Sequence, residues 1–277
     1  MTTRILHISD IHTGTQVEAR LEDVLPAIVE ELDPGLVLFT GDLTHRGRRD
    51  QHERAAVLLR GFERPLLVIP GNHDIPGWGL RRFTRTWQEF DRQWPEREPV
   101  YRSPEVVVVG LNSIRPYRHQ SGSIGQDQLG RVRSGFADSE AGALRVVAVH
   151  HHLLAAPWRR WKPPLSRRTR TLAAFIDAGA ELVVAGHVHQ SAVSERREFE
   201  IVYGGERSAV VTTAPGLGQP RPKRRGEARG FHVYEATEAT LRVLTYVWRE
   251  DDWALTANRL YPRGARPLER VAAKPDA

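Results

Sequence analysis

An α/β fold with largely parallel strands is predicted by three features of this 277-residue sequence. Short apolar runs recur along its first two thirds, each closed by a turn signal. Helix-period segments alternate with them, which suits strands buried on both faces. The residues just past successive runs are repeatedly aspartate, asparagine or histidine, as though one rim were collecting them.

The elements follow in order. "RILHIS" (4–9) reads as a buried strand and leads into Asp10 and His12. "ARLEDVLPAIVEEL" (19–32) carries Leu21, Val24, Leu25, Ile28, Val29 and Leu32 at helical spacing. The strand "GLVLFT" (35–40) runs into Gly41 and Asp42, and "RDQHERAAVLLRGF" (49–62) is the next helix. "PLLVIP" (65–70) delivers the tetrad Gly71, Asn72, His73 and Asp74. "EVVVVGLN" (105–112) is another strand, and "LRVVAV" (144–149) ends on the histidines 150, 151 and 152. "RTRTLAAFIDAG" (168–179) is a helix stopped by Gly179, and "ELVVAG" (181–186) leads into His187 and His189. Beyond about residue 190 the helical pattern ceases. "EFEIVYGG", "SAVVTTAP", "GFHVYEA" and "TLRVLTYVWR" then read as strands of a second, antiparallel sheet. We expect one domain over 1–250 and a tail over 251–277 that wraps the surface or frays.

Composition narrows the function classes. The hydrophobic and charged shares are those of a globular chain, and no apolar run reaches the roughly 18 residues of a membrane span. The opening "MTTRILHISD" has no signal-peptide core, so the cytoplasm is the expected compartment. Without cysteine, disulfides and thiolate metal sites are excluded. Net charge is +6, and all but three of the 40 basic residues are arginine, the lysines being Lys162, Lys223 and Lys274. Such a charge suits anionic partners, although so general an arginine bias reads first as genome composition.

The chemistry-bearing set is Asp10, His12, Asp42, Asn72, His150, His187 and His189. Imidazole, carboxylate and amide donors suit Mn, Fe, Zn, Ni or Co rather than Cu(I). Seven donors are too many for one transition metal and fit two if a carboxylate bridges. In an extended segment Asp10 and His12 would share a face, as would His187 and His189. Glycines 41, 71 and 186 would let the backbone turn tightly off each strand and approach the ions. Among the three adjacent histidines, alternation allows His150 and His152 one side and His151 the other.

The series "DIH…GD…GNHD…H…GHVH" resembles the calcineurin-like metallophosphoesterase superfamily over residues 10–189. The phrases "LHISDIHTG", "GDLTHRG", "VIPGNHD" and "AGHVHQ" are most similar to its bacterial class III cyclic-nucleotide phosphodiesterase branch. The resemblance implies a four-layer α/β/β/α sandwich of two mixed β-sheets flanked by helices, with a dimetal site at the strand C-terminal ends. It also implies two divalent or mixed-valence ions, Mn, Fe or Zn, sharing Asp42. One ion would take Asp10, His12, Asp42 and His189, the other Asp42, Asn72, His150 and His187. His150 matches the family position and His152 is the runner-up.

A dimetal phosphodiesterase acting on a small phosphate ester is the expected function, by in-line attack of a metal-bridging hydroxide. His73 is assigned to the leaving-group oxygen and Asp74 to orienting His73. A nuclease or a phosphomonoesterase is the alternative, and a homodimer stays open. His45 faces either substrate phosphate or solvent. The basic stretches 157–170 and 221–230 read as cleft wall or solvated loop, with Trp158 and Trp161 able to stack a base. Trp78 reads as core. A lipid-surface enzyme would want an amphipathic helix, for which 79–94 is the candidate.

Overall fold

The structure, a computed structural model, describes residues 2–15, 19–154, 162–190, 192–194, 208–218 and 229–263. In chain order the elements are β1 (Thr3–Ile8), α1 (Ala19–Leu32), β2 (Leu36–Phe39), α2 (Arg49–Arg60), β3 (Leu66–Val68), α3 (Arg81–Thr84) and α4 (Gln88–Gln93). There follow β4 (Val100–Arg102), β5 (Val106–Leu111), α5 (Gln126–Ala137), β6 (Leu144–Val149), α6 (Arg168–Asp177) and β7 (Leu182–Ala185). The last strands are β8 (Ala192–Ser194), β9 (Val210–Thr213), β10 (Gly230–Ala236), β11 (Thr240–Arg249) and β12 (Asp252–Pro262).

Two mixed six-stranded sheets result, ordered β12-β11-β10-β1-β2-β3 and β4-β5-β6-β7-β9-β8. Strands β1, β2 and β3 run parallel, as do β5, β6, β7 and β9. Strand alternation sends residues of one strand to two different cores: Val106 and Val108 of β5 pack between the sheets, whereas Val107 and Val109 pack under α5 and α6. On the other side, Leu6 and Ile8 of β1 meet Leu25 and Val29 of α1 and Leu59 of α2. Helices therefore cover both outer faces, giving the four layers and placing the C-terminal ends of all the parallel strands on one edge.

Two expectations are corrected, and one helix goes unforeseen. The late strands do not form a separate sheet: β10 pairs antiparallel with β1, extending the first sheet, while β9 lies parallel to β7 in the second. Apolar runs identify strands but carry no record of which distant edge they pair with. The segment from 251 is not loose through Pro262, because β12 pairs with β11 from Asp252 to Pro262. Its exposed, alternating edge pattern mimics a tail. Finally, helix α5 escapes the periodicity reading because Gly130 and Gly135 lower its propensity. "EFEIVYGG" and residues 264–277 lie outside the described residues.

His232 gives the fold a measurable pH dependence. Its Nε2–H donates to the Thr213 carbonyl at 3.1 Å and its Nδ1 accepts from Thr245 Oγ1 at 3.1 Å, so the neutral ring is satisfied. Burial drives its pKa down to about 4, against the pull of the Thr213 carbonyl. The unfolded chain therefore binds more protons between the ordinary histidine value and pH 4, and stability falls as pH falls through that window. Native protein should lose about 3 kcal/mol more than His232→Gln between pH 8 and pH 4 in urea titrations. Parallel losses in the two proteins would contradict this assignment.

Candidate functional site

The strand ends build the site by turning sharply. Asp10, His12, Asp42, His187 and His189 all adopt left-handed backbone, with φ between 52° and 76°. Aspartate and histidine visit this region more readily than most residues, yet each instance costs on the order of 1–3 kcal/mol. The extended geometry expected for Asp10–His12 and His187–His189 is thus replaced by paired left-handed turns. They are held from outside. Asp10 N donates to Gly41 O and His12 N to Asp42 O, each at 3.0 Å, which zips the loop after β1 to the loop after β2. His187 N donates to Asp10 Oδ2 at 2.9 Å, and Ser9 Oγ reaches the same oxygen at 2.5 Å.

Glycine is required at two of these turns. Gly41 has φ +90°, and a Cβ there would stand 2.6 Å from Gly71 N and 2.8 Å from His150 Nδ1. At Gly186, which is not left-handed, a Cβ would lie 2.6 Å from Asp10 Oδ2. Space rather than φ fixes that residue.

The structure gathers all seven candidate metal residues. Donor atoms of Asp10, His12, Asp42 and His189 lie within 4.8 Å of one another, as do those of Asp42, His150 and His187. Asp42 belongs to both groups. In the first, His189 Nε2 is 3.1 Å from Asp10 Oδ1 and 3.0 Å from His12 Nε2. In the second, His150 Nε2 is 3.4 Å from Asp42 Oδ1, 3.1 Å from Asn72 Oδ1 and 3.2 Å from His187 Nδ1. His150 Nδ1–H donates to Thr40 O at 2.7 Å, which turns the Nε2 lone pair inward.

This donor set fits a pair of cations. Asp10 Oδ1 and Asp42 Oδ2 are buried without a hydrogen-bond donor, and imidazole nitrogens converge on them. Such an assembly of lone pairs is repulsive unless positive charge lies among them. Burial, reinforced by His73 and His189, drives the His12 imidazole well below its usual range. Burial and Lys162 do the same to His187. Burial pushes the Asp10 carboxyl up, but His189, His150 and His12 outweigh it and hold it well below its usual range. Neutral imidazole beside ionised carboxylate is the state that binds a metal.

Of the three adjacent histidines, only His150 belongs to these groups among the described residues. His151 Nδ1 bonds Ser113 Oγ at 2.8 Å, and the His152 ring stacks on His187 with centroids 5.7 Å apart. His73 stands against the first group, edge-on to His12 at 4.8 Å, with its backbone N–H donated to Asp42 Oδ1 at 2.8 Å. The orienting role expected of Asp74 is corrected. Its carboxylate accepts from Gly71 N at 2.8 Å and Thr44 N at 2.9 Å, stapling the loop that carries Asn72. The His73 ring is fixed instead by the His45 carbonyl, which accepts from Nδ1–H at 2.8 Å. His45 itself stacks on His73 at 5.9 Å.

Sequence reasoning missed Ser9, Thr40 and Lys162. Lys162 is buried and its Nζ donates to the His187 carbonyl at 2.5 Å, clamping the left-handed turn. Its signal was available, since a lysine kept in so arginine-rich a chain is unusual. Trp158, Trp161 and most of 221–230 lie outside the described residues.

Comparison with known proteins agrees with this geometry. Residues 3–191 match the family of calcineurin-like phosphoesterases. The 3',5'-cyclic adenosine monophosphate phosphodiesterase CpdA of Haemophilus influenzae is 24% identical over 220 residues, covering 72% of this chain and 74% of that protein. A serine/threonine-protein phosphatase of Homo sapiens is 28% identical over 202 residues, covering 67% of this chain and 63% of that one. The purple acid phosphatase of yellow lupin, Lupinus luteus, superposes with a TM-score of 0.69 at 12% identity, covering 99% of this chain and 57% of that one. The last likeness is one of fold.

Proposed function

We infer the reaction from a firm premise: the chain belongs to the calcineurin-like phosphoesterase family and is a metal-dependent hydrolase of phosphoric esters. We propose that it is a phosphodiesterase acting on a small phosphate ester. We further propose that Asp10, His12, Asp42 and His189 hold one ion, and Asp42, Asn72, His150 and His187 the other. The observation that carries this reading is the buried carboxylate of Asp42 standing between two converging donor groups. Mn, Fe or Zn suits the nitrogen and oxygen set. When bound, the pair supplies Lewis acidity to the phosphate and lowers the pKa of water.

The chain's own residues do the rest. Ser9 and the His187 amide hold one Asp10 oxygen and leave the other to the site. Thr40 O fixes the His150 tautomer, and Lys162 holds the turn between His187 and His189. Because the His45 carbonyl can only accept, His73 Nδ1 keeps its proton, and the ring meets the leaving group through Nε2. Proton donation from Nε2 therefore requires the cationic ring, whose charge also opposes that developing on the leaving oxygen.

The test is a panel of metal-reconstituted protein against bis-p-nitrophenyl phosphate, p-nitrophenyl phosphate, cyclic AMP and single-stranded DNA. Diester turnover exceeding monoester turnover is expected. No turnover with any metal contradicts the reading, and cleavage of DNA alone replaces it with a nuclease. His73→Ala should lose roughly 10²-fold or more on an ester with a poor leaving group, and much less on bis-p-nitrophenyl phosphate. Equal losses on the two substrates would remove His73 as the proton donor.

A further inference from the structure

Most apolar side chains are buried, but three large ones, Trp78, Leu80 and Phe83, are exposed in the segment just past Asp74, and a fourth, Tyr117, in the loop after β5. Trp78 is 82% exposed, Leu80 76%, Phe83 62% and Tyr117 67%. Two sequence expectations fail here: Trp78 is not core, and 79–94 is not one amphipathic helix but the two short helices α3 and α4.

The ridge is built rather than accidental. The guanidinium of Arg82 is buried and ties two loops together, donating to Pro76 O at 2.8 Å, Pro116 O at 2.6 Å and Arg118 O at 3.1 Å. The Trp78 ring rests on His119 with centroids 4.4 Å apart. Phe83 N and Thr84 N both bond Leu80 O, so Leu80 and Phe83 share one side of a helical turn. A rigid scaffold thus holds apolar tips outward, at a desolvation advantage that the protein interior does not collect.

Charge selects the occupant. Residues 75–88 and 113–125 contain five arginines and no carboxylate. Arg81 and Arg85 are themselves exposed, interleaved with Leu80 and Phe83. A second copy of the same surface would set these arginines against their own kind. A stacked base would use Trp78, one face of which already carries His119, and has no use for Leu80. Projecting aromatic and aliphatic tips among arginines match the interface of an anionic membrane, where the tips enter the headgroup layer and the guanidinium groups meet phosphate.

We propose that the ridge formed by Trp78, Leu80, Phe83 and Tyr117 with Arg81 and Arg85 is a docking surface for an anionic lipid bilayer. Attachment is peripheral, since no helix among the described residues is long and apolar enough to cross a membrane.

The experiment sediments the full chain with vesicles of equimolar phosphatidylglycerol and phosphatidylcholine, and with phosphatidylcholine alone. Wild type should partition onto the anionic vesicles and lose affinity as salt rises. Arg81→Gln and Arg85→Gln should each weaken binding about fivefold. The triple variant Trp78→Ser, Leu80→Ser, Phe83→Ser should weaken it about tenfold or more while keeping its thermal midpoint, these side chains being exposed. Absence of binding to anionic vesicles, or binding undiminished in the triple variant, overturns the proposal. Retention on single-stranded DNA without retention on vesicles overturns it in favour of nucleic acid. A dimer in solution that the triple variant dissolves overturns it in favour of self-association.

Discussion

Asp42→Asn should abolish turnover of bis-p-nitrophenyl phosphate and strip metal from both halves of the site at once. Asp42 Oδ1 lies 3.4 Å from His150 Nε2, and its Oδ2 lies 3.6 Å from His12 Nε2 and has no hydrogen-bond donor. Both donor groups therefore close on this one side chain. An amide keeps the size and removes the charge, and it turns either an NH2 or a neutral oxygen toward each group. The loss in kcat/KM should exceed the roughly 10²–10³-fold that removal of one transition-state hydrogen bond costs. Metal content should fall for both ions rather than one, whereas Asn72→Ala should weaken only the ion beside His150. Replacement of Asp42 that spares one full equivalent of metal would show that the carboxylate is not shared.

Gly41→Ala should be strongly destabilising, because it combines a left-handed backbone with a backbone collision at the site. It adds a Cβ at φ +90° and presses it against Gly71 N at 2.6 Å and Gly71 Cα at 2.7 Å. These are backbone atoms, so the collision cannot be relieved by a rotamer change. The loop carrying Asn72 or the ring of His150 must move instead. Strain and displacement together should cost about 2–4 kcal/mol, lowering the thermal midpoint by roughly 3–7 °C. Gly130→Ala is the control, because its added Cβ in helix α5 meets nothing within 4 Å. It should raise stability by about 0.5–1 kcal/mol. Equal effects at the two glycines would remove the argument that Gly41 is fixed by the turn.

Much of this was legible in the residues because strand cores and strand ends obey different rules. The runs that became β1, β2, β3, β5, β6 and β7 are apolar on both faces, which marks central parallel strands. The polar residues following them cannot be core and arrive at one edge by topology alone. What the pattern could not carry was backbone handedness. "DIH" and "GHVH" look like ordinary extended alternation, and long-range bonds make the left-handed turns tolerable: Asp10 and His12 to the β2 loop, and His187 to Asp10 and Lys162. Asp74 was misread for a related reason. Adjacency to His73 suggested contact, whereas the tight turn sends its carboxylate back to Gly71 and Thr44. The ridge at Trp78 was hidden among aromatics that read as core, and Lys162 sits in a basic stretch that reads as solvated, where its rarity among arginines is its one mark.

The most direct test of the central claim is anomalous diffraction from crystals of manganese-loaded protein. Two peaks are predicted, with Asp42 reaching both. Asp10, His12 and His189 should surround one, and Asn72, His150 and His187 the other. A single peak, or a second peak coordinated by His152 in place of His150, would contradict the account.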